Sequence, residues 1–563
     1  MIRKLSLVSL FLACQLAVRG SAVWQWSVPA PTIPERRVFL WIPPDCKHVR
    51  GLVVACQNML EKPLLERSAF RDACAENDLG IVMIFPGHDV THKEEPGPNH
   101  PERSYLDIFL NPNFPEGKED PQKAGDDLQK VLNALADESG YPEIRYAPLM
   151  PIGHSSAAPF VWHLYKWNPS RIFAMMPFKA GTRDDGPLQD IPVFDVNSEW
   201  FEYGSSPMHN VSFIASDGGA RVPRFRADHT NAMYGYYVDV GSGHCDASDD
   251  AIGIMRLFLK KAVAARIPGN APNNAPVTLK PLKVESGWLI PAAALGKAEG
   301  KPVPYVDFKG DPRTCFWYLD RELAAAVQNH IRQQLAKQPQ QIGFVQDGEP
   351  STDARMFNFV PRFIDDAGTF QLEASFVDRI DHAKFDNVRT NYYPPETKLG
   401  HSATPILFRV NSGAVIQVGP NAFRICPHGG GLVPQGNPWE PTIIAYHPGD
   451  ATFRPAEHPA HAIVNIVNKR GEPQTIDFAA IPNQKNGDKF VKLEAQASSG
   501  LPVEFFVVSG PATIDGNILR FEKIPKKAKF PIRVLVSAFQ WGRASDPKIQ
   551  SAGPITREFF INK

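Results

Sequence analysis

The residues Gly153-His154-Ser155-Ser156-Ala157 carry the most specific chemistry in the chain. They follow the pattern G-x-S-x-[G/A], in which a serine sits on a sharp strand-to-helix turn that exposes its Oγ. Such a turn strains the serine backbone and crowds its neighbours, so small residues belong two before and two after. The apolar run Leu149 to Ile152 precedes the motif and a helix is predicted from Ala157 to Trp167, which is the context the turn requires. Gly400-His401-Ser402-Ala403-Thr404 is a near match, but it follows a Pro-rich loop and ends on a β-branched residue. Ser402 therefore reads as a surface or strand-start serine.

A serine hydroxyl is a weak nucleophile until a base takes its proton. His244, in Gly241-Ser242-Gly243-His244, follows the predicted strand Tyr236 to Val240 and precedes an amphipathic helix, Asp249 to Ala264. That loop position after the last strand suits a general base for Ser155. His154 lies inside the turn, cannot easily face Ser155, and belongs under the turn or in the cleft. A carboxylate to orient the imidazole is expected after the strand Ile191 to Val196, where Glu199 is nearest the strand end and Glu202 is the alternative; Asp217 and Asp246 are more remote. Oxyanion donors are expected from the N–H of Ser156 and from Gln57 or Asn58, on the loop after the strand Gly51 to Cys56. Cys245 reads as a packed or disulfide cysteine, with no activating partner evident.

These groups need a rigid scaffold. Between residues 36 and 265, strands at Val38–Ile42, Gly51–Cys56, Gly80–Phe85, Leu149–Ile152, Ile172–Met176, Ile191–Val196 and Tyr236–Val240 alternate with helices at Leu64–Asn77, Asp126–Ser139, Ala157–Trp167 and Asp249–Ala264. The alternation predicts a mostly parallel sheet with helices on both faces. With its elbow and its order serine, acid, histidine, this half resembles the α/β-hydrolase superfamily. The resemblance implies Ser155 as nucleophile, His244 as base and a loop glutamate as orienting acid. Members usually place Asp three residues past a Gly in the acid loop; here Ser198 holds the Gly position and Phe201 the acid position. The segment His88 to Asp120 is the longest insertion, on the substrate side of the sheet, with Tyr105, Phe109 and Phe114 as wall residues.

The rest of the chain has a different texture. Residues 1–22 read as a signal peptide: Arg3 and Lys4, the apolar stretch Leu5 to Val18, then Gly20-Ser21-Ala22. That implies a secreted, periplasmic or cell-surface protein with no integral membrane segment after cleavage. Residues 23–266 form the predicted catalytic domain and 267–282 a Pro- and Asn-rich linker. Residues 283–472 form a β-rich middle region with one helix, Asp320 to Lys337. Residues 473–563 show short strands at the spacing of a β-sandwich. There, Ala497-Ser498-Ser499-Gly500-Leu501-Pro502-Val503 and Ser509-Gly510-Pro511-Ala512 resemble an immunoglobulin-like repeat of bacterial secreted enzymes, implying a spacer or adhesion role.

Composition narrows the function classes. Lys plus Arg and Asp plus Glu both number 60, which argues against a nucleic-acid partner. The seven cysteines include Cys14 in the leader and form no CxxC pair, so neither a disulfide framework nor a structural zinc site is expected. No metal or cofactor is required by the chemistry above. The leading expectation is a secreted serine hydrolase cleaving carboxylic esters, including acyl or feruloyl groups on polysaccharide. The alternatives are a prolyl-oligopeptidase-like serine peptidase and a non-catalytic carbohydrate-binding or adhesion protein with a degenerate hydrolase domain.

Overall fold

The computed structural model describes residues 23–31, 37–85, 121–179, 188, 191–199, 218–346, 348–351, 357–380, 393, 396–426, 441–464 and 467–563. The predicted leader, the insertion with Tyr105, Phe109 and Phe114, and the candidates Glu202 and Asp217 lie outside the described residues. No helix among the described residues is long and apolar enough to cross a membrane.

An eight-stranded sheet organises the first half. Its strands are β1 (Trp26–Pro29), β2 (Arg37–Trp41), β3 (Gly51–Cys56), β4 (Leu79–Phe85), β5 (Leu149–His154), β6 (Met176–Phe178), β7 (Pro192–Ser198) and β8 (Met233–Asp239), in the order β1-β2-β4-β3-β5-β6-β7-β8. The pairs β1–β2 and β2–β4 are antiparallel and the remaining pairs are parallel. β3 and β5 are buried along their whole length, as their near-continuous apolar sequences demand of strands covered on both faces. The helices are α1 (Glu61–Glu66), α2 (Ser68–Glu76), α3 (Pro121–Ser139), α4 (Ala158–Trp167), α5 (Gly218–Asp228) and α6 (Asp249–Arg266). This arrangement fits the α/β-hydrolase architecture.

Three departures from the sequence reading have local causes. The helix expected over 64–77 is two helices, because Arg67 is extended (φ −64°, ψ 131°) and its guanidinium reaches the Ala247 carbonyl at 2.7 Å. β6 is displaced toward the elbow, with Ile172 and Met175 making only isolated bridges. β1 and α5 were not anticipated; α5 carries Pro223 and begins on two glycines, which masks its periodicity.

Beyond α6, the Pro-rich segment runs mostly exposed and the apolar core resumes after it. β9 (Trp288–Pro291), β10 (Val303–Pro304) and β11 (Cys315–Tyr318) form a small antiparallel sheet, and α7 (Arg321–Leu335) starts on Asp320, whose side chain accepts the Leu323 N–H at 2.9 Å. Phe316 stacks on Tyr236 at 5.0 Å and the Tyr318 hydroxyl donates to the Tyr236 carbonyl at 2.8 Å, so this unit closes onto the β8 side of the large sheet. Leu323, Val327 and Ile331 of α7 belong to the same core cluster as β3, β4 and β5.

Residues 342–464 build small sheets, among them one with strands Phe357–Phe359, Ala456–Ala462, Thr442–His447 and Leu407–Ser412 in that order. In the strand 456–462, Glu457, His458 and His461 hide a buried strand behind a polar sequence. The last region has sheets of four and three strands, whose faces meet at Phe521 and Phe559. It also touches the start of the described chain: the Ser27 hydroxyl donates to Ser509 Oγ at 2.8 Å and the Gly510 N–H to the Trp24 carbonyl at 2.8 Å.

Phe316 is fully buried, so Phe316→Ala is expected to cost about 3–5 kcal/mol of stability. Denaturant unfolding followed on the large sheet checks this. A loss below about 1 kcal/mol would show that the β9–β11 unit is energetically separate.

Candidate functional site

Ser155 sits where β5 ends and α4 begins, at φ +52°, the left-handed region that costs any side chain bearing a Cβ. Gly153 shows why small residues flank it: a Cβ there would stand 2.2 Å from the Ala157 carbonyl oxygen. Ser155 Oγ and His244 Nε2 lie 2.8 Å apart, so with Nε2 unprotonated the hydroxyl donates to it. This is the spacing a general base needs.

His154 takes the position beneath the base. It is fully buried, its ring centroid is 4.9 Å from that of His244, and its Nε2–H donates to the His244 carbonyl at 2.9 Å. Burial, then the neighbouring His244 and Lys179, hold its pKa well below that of a free histidine, so it stays neutral.

The elbow is braced from the loop after β3. Glu61 is fully buried and its carboxylate accepts the N–H groups of His154 (2.7 Å), Asn58 (2.9 Å) and Met59 (3.1 Å). The Gln57 N–H donates to the Ile84 carbonyl at 3.0 Å. The amides of Gln57 and Asn58, expected as oxyanion donors, are therefore both engaged inside the protein. Asn58 contributes differently, its side-chain Nδ2 donating to the His154 carbonyl at 3.0 Å. The N–H of Ser156 follows the candidate nucleophile directly, in the single helical turn Ser155–Ala157. Glu61 was not singled out in the sequence; the visible signal was an acidic residue opening the helix after β3.

Glu199 is placed beside the base loop but not on the imidazole. Its carboxylate accepts the Gly241 N–H at 2.8 Å and pairs with Arg454 at 3.2 Å. The expectation that Glu199 orients His244 directly is thus corrected to a contact with the first residue of the loop. Burial pushes its pKa up, against the pull of Arg454 and the Gly241 amide. Asp246, an outlying candidate, is fully buried and paired with Arg409. Cys245 is buried, as are the other described cysteines.

The near-match serine has a different environment. Ser402 is buried rather than at the surface, and its Oγ lies 2.9 Å from Thr404 Oγ1, which is 2.6 Å from His447 Nε2. His447 Nδ1 accepts hydrogen bonds from Gln340 Nε2 and the Gly449 amide, both at 3.0 Å. That forces the proton onto Nε2, which must donate to Thr404 and is not free to act as a base.

No protein-family model matches the chain, and no curated protein sequence matches it. Similar solved structures include esterase PE8, 13% identical over 43% of this chain and 99% of its own, with a TM-score of 0.27. An S-formylglutathione hydrolase from Agrobacterium tumefaciens is 11% identical over 42% of this chain and 92% of its own, TM-score 0.28. The LpqC poly(3-hydroxybutyrate) depolymerase from Bordetella parapertussis is 15% identical over 42% and 86%, TM-score 0.26. Likenesses this weak carry no function across.

The Glu61 brace makes stability depend on pH. Burial raises its pKa from 4.5 to about 7, so the folded protein holds this proton more tightly than the unfolded chain. The resulting stabilisation is complete below pH 4.5 and lost as pH rises through about 7. The stability of wild type relative to Glu61→Gln is expected to fall by up to about 3 kcal/mol between pH 5 and 8. Thermal melts of both proteins across that range check it; a constant difference would remove the titration from Glu61.

Proposed function

We propose that the protein is a carboxylic ester hydrolase working through an acyl-enzyme on Ser155. The observation that carries this reading is the 2.8 Å approach of Ser155 Oγ to His244 Nε2 at a strained strand-to-helix turn. In the proposed cycle, Ser155 Oγ attacks the ester carbonyl as His244 takes its proton, and the Ser156 N–H stabilises the oxyanion. His244 then returns the proton to the leaving alkoxide, releasing the alcohol. Water, deprotonated by His244, attacks the acyl-enzyme; the carboxylic acid leaves and Ser155 recovers its proton.

Glu199 acts in this reading as a positioning residue under the loop, and Glu202 is the alternative orienting acid. The leader-like start, Arg3 and Lys4 before an apolar run, supports export. The β-rich final region supports an immunoglobulin-like spacer, which makes acyl and feruloyl esters of polysaccharide the first substrates to try.

Fluorophosphonate labelling of wild type, Ser155→Ala, Glu199→Gln and Glu202→Gln tests the assignment. Labelling is expected in wild type and abolished in Ser155→Ala, with ester hydrolysis reduced by at least about a thousandfold. If Glu202 orients the imidazole, Glu202→Gln loses more rate than Glu199→Gln. A folded wild-type protein that does not label would refute the reading and favour a non-catalytic role.

A further inference from the structure

The loop Gly241–Asp246 has no regular secondary structure, yet it carries the proposed base. Its polar groups are bonded from two sides. From the large sheet, Lys179 Nζ donates to the Gly243 carbonyl at 2.6 Å and to Ser242 Oγ, while lying 3.4 Å from Asp239. Glu199 accepts the Gly241 amide and His154 donates to the His244 carbonyl. Arg67 reaches Asp246 at 3.6 Å, and three further contacts come from more than 160 residues along the chain. Glu457 Oε1 accepts the Gly243 N–H at 2.6 Å, |i−j| being 214. Asn411 Nδ2 donates to the Cys245 carbonyl and Arg409 forms a salt bridge with Asp246.

The approach is close at the loop's first residue as well. Gly241 has φ +80°, and a Cβ there would stand 2.1 Å from the Pro455 carbonyl oxygen. Arg454, next in the chain, pairs with Glu199 and also donates to the carbonyls of Leu335 and Lys337 at the end of α7. Glu457 and Asn411 thus bond the residues immediately before and after His244, Arg409 bonds the next one, Asp246, and none of the three touches Ser155 in any described contact.

Resting on the hydrolase reading, we propose that the β-rich middle region is a working part of the site, with Glu457 and Asn411 as positioning residues that hold His244 at hydrogen-bonding distance from Ser155. Without Glu457 the Gly243 amide loses its carboxylate acceptor, and without Asn411 the Cys245 carbonyl loses the Nδ2 donor. The two flanking peptides then re-orient toward water, and the imidazole follows them. Loss of the grip lowers the rate at which Ser155 is activated and leaves ground-state substrate binding nearly unchanged.

The test uses the full chain. Fluorophosphonate labelling rate at Ser155, kcat and KM for a simple aryl ester, and melting temperature are measured for wild type, Glu457→Ala, Glu457→Gln and Asn411→Ala. Expected are a ten- to hundredfold drop in labelling rate and kcat for Glu457→Ala and Asn411→Ala, with KM within about twofold. Glu457→Gln, whose amide oxygen still accepts the Gly243 N–H, recovers most of the rate. Folded alanine variants that label as fast as wild type would overturn the proposal and leave the hydrolase reading intact. A loss in Glu457→Gln equal to that in Glu457→Ala would also overturn it, assigning the effect to the lost charge beside Lys179. Wild type that fails to label would instead defeat the hydrolase reading itself. Should Glu457→Ala not fold, Asn411→Ala decides alone, because its lost bond is to an uncharged carbonyl.

Discussion

A chain segment outside helices and strands still presents an N–H and a C=O at each residue, and buried ones must find partners. The loop after β8 draws on side chains for this: Glu199, Lys179, His154, Glu457 and Asn411 each take one of its backbone groups. In the proposed reading these bonds help to set the position of His244. The site therefore depends on elements as far apart in sequence as β5, β6 and the strand 456–462. The appended region shares in the interior of the first half instead of hanging from it.

Such an arrangement brings several charges out of water together. Lys179, Asp239, Glu457, Arg409 and Asp246 lie within one buried network, with Arg67 reaching Asp246 and Asp249 from the break between α1 and α2. Burial raises Glu457 to about pKa 6, against the pull of Lys179 and Arg409, and burial with the nearby Arg67 charge lowers Arg409 to about 10, against the pull of Glu457. Ion pairs of this kind add little net stability, but removing one partner leaves the other uncompensated. The His447 cluster uses similar residue types to the opposite end: with Nδ1 saturated by two donors, its imidazole serves packing.

The parts legible in the sequence were those with local signatures. Ser155 could be read because a strand, a turn of small residues and a helix are contiguous, and His244 because it follows the last strand of an alternating pattern. The central strands were equally readable, since burial on both faces forces continuous apolar runs. The grip on the base loop was not, because Glu457, Asn411 and Arg409 are ordinary polar residues until the fold brings them over. The same holds for Gln57 and Asn58: their place after β3 was evident, while the capture of the Asn58 amide by Glu61 is a matter of side-chain geometry. Ser402, which reads as a surface or strand-start serine, is buried for a related reason: Gln340, whose side chain accepts its N–H, comes from a distant segment.

The contact between the Ser27 and Ser509 hydroxyls joins positions 482 residues apart. A ribosome delivers β1 long before it delivers its partners at Ser509 and Gly510. During that interval the outer edge of the sheet lacks the bridge from Gly510 to Trp24, and an uncovered edge is a template for pairing with another chain. Long sequence separation also slows closure, because the intervening chain must be ordered first. A chain truncated before residue 509 therefore lacks both contacts at this edge.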